Sequence, residues 1–151
     1  MHSANASQLM PSHYDEAKKC RTGTMDEKQF YAESDASSGA YWKSLLAAWQ
    51  KQGGTLNWGA GGVGLRKPIA GKEVGVCFLA PAYAGKKDRI EFSLTVLGKV
   101  IGAPRCEALK VALQKAAGEQ MTGASMVCIV EPGKLPAAGQ KAVTAALLGL
   151  Q

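Results

Sequence analysis

A chain of 151 residues, 46% hydrophobic and 20% charged, has the length and composition of about one globular domain. A domain of about 150 residues hides roughly 70% of its unfolded surface, so it can hold a core without metals or disulfides. The net charge is +6, and the only two histidines, His2 and His13, lie in the polar N-terminal segment.

That histidine distribution excludes a good deal. Beyond His13 the chain lacks the usual general base at neutral pH, the usual partner of a Ser or Cys nucleophile and the commonest metal ligand. No catalytic motif fills the gap, so binding is favoured over catalysis, and no catalytic residue, metal or cofactor is assigned. The charge is also uneven. Residues 1–35 hold four basic and six acidic side chains, a net of −2, whereas residues 36–151 hold fourteen and six, a net of +8. A basic excess of that size favours phosphate-bearing or other anionic partners. The first ten residues have neither a basic nor an apolar region of a secretory signal. Apolar runs such as 74–82 fall well short of the roughly 20 residues that span a bilayer. The expectation is a cytoplasmic, prokaryotic-style protein with no membrane partner.

In chain order, residues 1–24 read as a disordered or cloning-derived leader and residues 25–151 as a single domain. Met10 and Met25 are both candidate native starts. Thr24 and Glu27 match a capping box before a short helix reaching about residue 33. A polar break at 34–38 precedes a longer helix over 39–52, where Trp42, Leu45, Leu46 and Trp49 share one face. Gly53-Gly54 ends it. A strand begins at 55–58, is interrupted by glycines and resumes at 63–67. The apolar parity shifts across the glycines, which predicts a bulge or bend at 59–62. Residues 74–80 are apolar on both parities and predict a central strand covered on both faces. Ile90, Phe92, Leu94 and Val96 alternate with polar residues and predict a half-buried strand. Pro104 opens a helix to about residue 117 with a stripe of Cys106, Leu109, Leu113 and Ala116. A short apolar strand over 126–130 and a helix from Pro136, with Val143, Ala146, Leu147 and Leu150 on its apolar face, complete the chain. The expected fold is therefore α+β: helix, three-stranded antiparallel meander, helix, fourth strand, C-terminal helix. A right-handed crossover would place the fourth strand parallel, giving a mixed four-stranded sheet with packed helices.

Two motifs carry little weight. Gly59-Ala60-Gly61-Gly62-Val63-Gly64 matches the dinucleotide-binding G-x-G-x-x-G pattern letter for letter. It lacks the following helix whose N-terminus would hold a pyrophosphate, since Pro68 and the strand-like 65–67 stand there. The element order resembles the restriction-endonuclease-like fold, a family that needs Glu-x-Lys after a metal-binding acid. Here Glu91-Phe92-Ser93 puts serine in place of lysine, which implies a nuclease-dead version.

The four cysteines, Cys20, Cys77, Cys106 and Cys128, fit no zinc spacing and read as reduced thiols. Cys77, Cys106 and Cys128 sit in apolar patterns that favour packing, while Cys20 stands among Lys18, Lys19 and Arg21, where a thiol reacts more readily. The leading functional expectation is a non-catalytic module for nucleic acid or another anion, positioned by Arg66, Lys67, Lys86, Lys87 and Arg89. Trp58 and Tyr83 lie close by as stacking aromatics. One alternative is a small-molecule pocket between sheet and helix lined by Trp42, Trp49, Trp58 and Tyr83. Another is a homo-oligomeric interaction protein using its C-terminal helix or an edge strand.

Overall fold

The computed structural model describes residues 10–18, 20–82, 86–118, 121–122 and 127–150. The chain is α+β. In order the elements are β1 (His13–Asp15), β2 (Cys20–Thr22), α1 (Glu27–Glu33), α2 (Ala36–Lys51), β3 (Thr55–Trp58), β4 (Val63–Ile69), β5 (Lys72–Ala80) and β6 (Arg89–Ser93). There follow α3 (Leu94–Ile101), α4 (Ala103–Ala117), β7 (Met121–Thr122), β8 (Val127–Val130), a 3₁₀ turn (Pro132–Lys134) and α5 (Ala137–Leu148). A six-stranded sheet runs β3-β4-β5-β6-β8-β7, and a separate hairpin pairs β1 with β2.

Every pair in the large sheet is antiparallel, which corrects the mixed four-stranded sheet expected from the sequence. The crossover after β6 does return the chain parallel to β6, but on β7 at the sheet edge. Residues 127–130 then fold back between them as β8, antiparallel to both neighbours. β7 has only two residues, too short to carry a pattern of its own, so the reversal leaves no mark in the sequence.

The expected single interrupted strand over 55–67 is a hairpin. Leu56 pairs with Leu65 and Trp58 with Val63, so even residues of β3 stand beside odd residues of β4. The parity shift therefore records a chain reversal at 59–62, and the register irregularity lies instead between Leu65 and Arg66. Gly62 has φ +153°, and a Cβ there would overlap the Leu79 carbonyl of β5, so no larger residue fits. The glycine pattern thus builds a tight turn, and no helix follows it.

The half-buried strand ends at Ser93, and Leu94 and Val96 belong to α3. Leu94, Leu97 and Ile101 are buried at helical spacing, whereas Val96 is 59% exposed. Alternation over 90–96 thus merged the end of a strand with the first turn of a helix. α3 packs against β5, β6 and β8. In β5 the residues from Val76 to Ala80 are buried on both parities apart from half-buried Phe78, while Lys72, Glu73 and Gly75 are exposed.

α2 starts three residues earlier than its pattern suggests. Its Trp42, Leu45, Leu46 and Trp49 join inward residues of β4, β5, β6 and β8, with Leu109 and Leu113 of α4 and Val143 and Leu147 of α5, in one continuous core. Each fully buried Leu or Phe there contributes roughly 1.5–3 kcal/mol. Leu150 is buried as well, so the apolar end of the chain packs on its own domain. Cys77 and Cys128 are buried and Cys106 is half-buried, its thiol donating to the Leu94 carbonyl at 3.4 Å. Burial pushes the Cys77 thiol pKa well up, which leaves it protonated and inert.

Asp26, rather than Thr24, caps α1, accepting the Gln29 amide at 2.7 Å. Thr24 is occupied by a bridge to Pro11 at the base of the β1–β2 hairpin. Ser12 and Arg21, within the stretch read as a leader, make side-chain contacts to later residues. The Ser12 hydroxyl donates to the Ala60 carbonyl, Arg21 pairs with Glu33 at 2.9 Å, and Gln29 Nε2 donates to the Ser12 carbonyl at 2.6 Å. Residues 1–9, with His2, lie outside the described residues, and His13 is exposed on β1. No helix among the described residues is long and apolar enough to cross a membrane.

Candidate anion-binding site

The two basic clusters named from the sequence fall at opposite ends of β5, whose nine residues span roughly 27 Å at about 3.4 Å per residue. At the β4–β5 end, Lys67 is only 9% exposed. Its ammonium lies 5.0 Å from the centre of the Trp49 ring and donates to the Leu147 and Leu148 carbonyls, each at 3.4 Å. A cation there faces the negative end of the α5 dipole and the face of an indole. Desolvation lowers its pKa below the usual 10.5. Arg66 is half-buried, and its guanidinium lies close against the space over Gly75. At the other end Arg89 is 9% exposed and ion-paired to Glu91 at 2.5 Å. Lys86 and Lys87 are exposed.

The tryptophans serve the core. Trp42 and Trp49 are 0% and 1% exposed. The Trp49 indole N–H donates to the Thr55 and Arg66 carbonyls at 3.2 and 3.0 Å. Trp58 is half-buried with its ring edge on Phe30. Tyr83 lies outside the described residues.

Lys87 does meet a cavity, of about 390 Å³, at the amino end of α2. Asp35, Ala36, Ser37 and Ser38 form one wall, Lys87 and Asp88 a second, and Glu131, Gly133 and Lys134 a third. Asp88 organises the place. It is 1% exposed and accepts from the Ala82 amide at 2.6 Å, the Asp35 amide at 2.9 Å and the Trp42 indole at 3.2 Å. One carboxylate thereby ties the β5–β6 connection to the start of α2, which holds Lys87 beside that helix end.

The helix end itself has donors to spare. Asp35 stands at the N-cap position but its side chain makes no capping bond. The Ser38 and Gly39 amides donate to the Asp35 carbonyl, at 3.0 and 3.1 Å. The Ala36 and Ser37 amides are among the first of the helix and have no intrahelical acceptor. Ser38 is 1% exposed, and its hydroxyl has no hydrogen-bond partner among the described residues. It stands against Gly133, where a Cβ would lie 2.7 Å from Ser37 Oγ and 3.2 Å from Ser38 Oγ. Only glycine leaves that space open. Glu131 Oε1 meets Lys134 Nζ at 3.2 Å as an ion pair, yet accepts no hydrogen bond. The first-turn amides, a buried hydroxyl and the Lys87 side chain can meet an anionic group at the positive helix end, while Lys134 is paired to Glu131 and the Asp35 carboxylate lines the same space.

Sequence reasoning reached Lys87 but missed Ser37, Ser38, Asp88, Glu131, Gly133 and Lys134. The serines fall at the polar break over 34–38, and Glu131, Gly133 and Lys134 in the stretch between the short apolar strand and the helix from Pro136. Both are local readings, and the packing of the 3₁₀ turn on α2 that joins them is long-range. Among the described residues, no group of three or more His, Cys, Asp and Glu side chains is placed to hold a metal ion. Comparison of the chain with protein-family models, with curated proteins and with solved structures finds no match.

Proposed function

We propose that this protein is a small basic binding module whose anionic partner, a nucleic-acid strand or another phosphate-bearing molecule, engages the amino end of α2 and the adjacent Lys86 and Lys87. The observation that supports this reading is the meeting of Lys87 with the first-turn amides of Ala36 and Ser37 around one cavity. Lys86, exposed next to it in the chain, adds a second charge to the same connection. Lys67 and Arg89 act from within: the first seats α5, the second pairs with Glu91.

Fluorescence anisotropy of a labelled single-stranded oligonucleotide, from about 50 to about 300 mM salt, tests the reading. Affinity should fall with salt, each neutralised phosphate contributing roughly 0.7 to the log–log slope. Association that ignores salt, or none at the lowest salt, would refute it.

A small-molecule ligand is the second reading, and the same cavity favours it. The space between sheet and helix is filled by Trp42 and Trp49, whereas the cavity beside Ser38 is large enough for a ligand of several heavy atoms.

A further inference from the structure

The walls of the cavity differ in a way that a bare phosphate does not explain. Lys87 and Lys134 line it, but so do Asp35, Asp88 and Glu131. The three donors on Asp88 occupy its oxygens, and Lys134 offsets the charge of Glu131. What stays unmet is one buried oxygen, Ser38 Oγ, while Glu131 Oε1 has only the Lys134 ammonium at 3.2 Å. Glu131 Oε1 can only accept, so it calls for a donor; Ser38 Oγ can do either. With Glu131 already paired to a cation, the fitting donor is a neutral hydroxyl rather than an ammonium. An unpartnered buried polar atom weakens a fold, and Ser38 Oγ beside a carboxylate oxygen with accepting capacity left marks a place where a ligand supplies partners.

We infer that the cavity takes a phosphorylated polyol, a sugar phosphate or the sugar-phosphate terminus of a strand, with hydroxyls on Glu131 and Ser38 and the phosphate at Lys87 and the α2 amides. This rests on the function proposed above and names its ligand class. A terminal group is required because Ser38 is 1% exposed. A phosphodiester inside a strand stays on the rim, whereas a strand end or a free sugar phosphate can enter. A terminal phosphate also carries about −1.5 to −2 charges at neutral pH, against one for a diester.

Calorimetric titration of the full chain with ribose 5-phosphate, ribose and inorganic phosphate tests the inference, with anisotropy of one oligonucleotide in 5′-phosphorylated and 5′-hydroxyl forms. Ribose 5-phosphate should bind roughly ten-fold tighter than either fragment, the weight of one or two added hydrogen bonds. Ser38→Ala should weaken it by about the same factor while leaving the melting temperature unchanged or higher, because it removes an unpaired hydroxyl. Gly133→Ala, which crowds both serine hydroxyls, should abolish binding. Preference for the 5′-phosphorylated oligonucleotide would assign the ligand to a strand end; binding of ribose 5-phosphate with no such preference would assign it to a free sugar phosphate. Inorganic phosphate binding as tightly as ribose 5-phosphate overturns the inference. So does a Ser38→Ala protein that melts lower and binds normally, which marks a structural hydroxyl. If both oligonucleotides bind equally with a steep salt slope and ribose 5-phosphate does not bind, the inference falls and the anion-binding function stands. If no probe binds at about 50 mM salt, both fall.

Discussion

The two ends of β5 have similar basic composition and opposite uses of it. At the β4–β5 end, Lys67 lies on an indole and donates to two carbonyls of α5, so the fold consumes its charge. At the β5–β6 end, Lys86 and Lys87 stay exposed, and Lys87 lines a cavity with the first turn of α2 and an unpaired buried hydroxyl. A lysine's role therefore follows from what lies within a few ångströms of its ammonium, and sequence clustering alone does not separate the two.

The comparison breaks most readily at Asp88. Asp88→Ala strands three buried donors, from Ala82, Asp35 and Trp42. Each costs roughly 1–3 kcal/mol, so a total of at least about 3 kcal/mol is expected. A melting temperature lower by about 10 °C or more would register it. Asp88→Asn should lose less, since one amide oxygen still accepts. If the alanine variant melts within about 2 °C of the parent, Asp88 does not organise this end.

A middle-sized effect separates the ends by function. Replacing Lys86 and Lys87 by alanine should weaken oligonucleotide binding by about ten-fold at about 50 mM salt and leave the melting temperature within about 2 °C. Lys72→Ala, on an exposed residue at the far end of β5, should change neither by a measurable amount.

The smallest effect sharpens the account of Lys67. Its pKa is lowered by desolvation, so between that lowered value and 10.5 the folded chain holds fewer protons on it than the unfolded chain. The contribution of this group to stability therefore rises with pH across that window. Lys67→Met removes the buried charge together with two long hydrogen bonds and a ring contact, so the net change near neutral pH should be about 1 kcal/mol or less. Urea midpoints of parent and variant should diverge in favour of the parent as pH climbs toward 10.5. Parallel curves would show that Lys67 is more solvated than its surroundings imply.

Much of the fold was legible because several elements carry one clean period. The Trp42–Trp49 stripe, Pro104 at a helix start and Val143 and Leu147 on a terminal helix each declared their element. The failures share a physical origin. Over 90–96 a strand and a helix turn superpose, and Leu94 satisfies both periods. At 59–62 a hairpin produces the same parity shift as a bulge. β7 is too short to show any period, yet it sets the direction of β8. The candidate site was legible only at Lys86 and Lys87. Ser38 and Gly133 lie about 95 positions apart in the chain and meet only because Asp88 and the 3₁₀ turn pack on the start of α2.

The most direct test of the central claim, that the anionic partner is held at the α2 end of β5, is the salt dependence of oligonucleotide binding. It should be measured side by side for the parent, the Lys86→Ala/Lys87→Ala protein and Lys72→Ala. The account predicts that the double variant alone loses between about one and about two units of log–log slope, the share of two phosphate contacts. Equal losses at both ends, or an unchanged slope in the double variant, would contradict it.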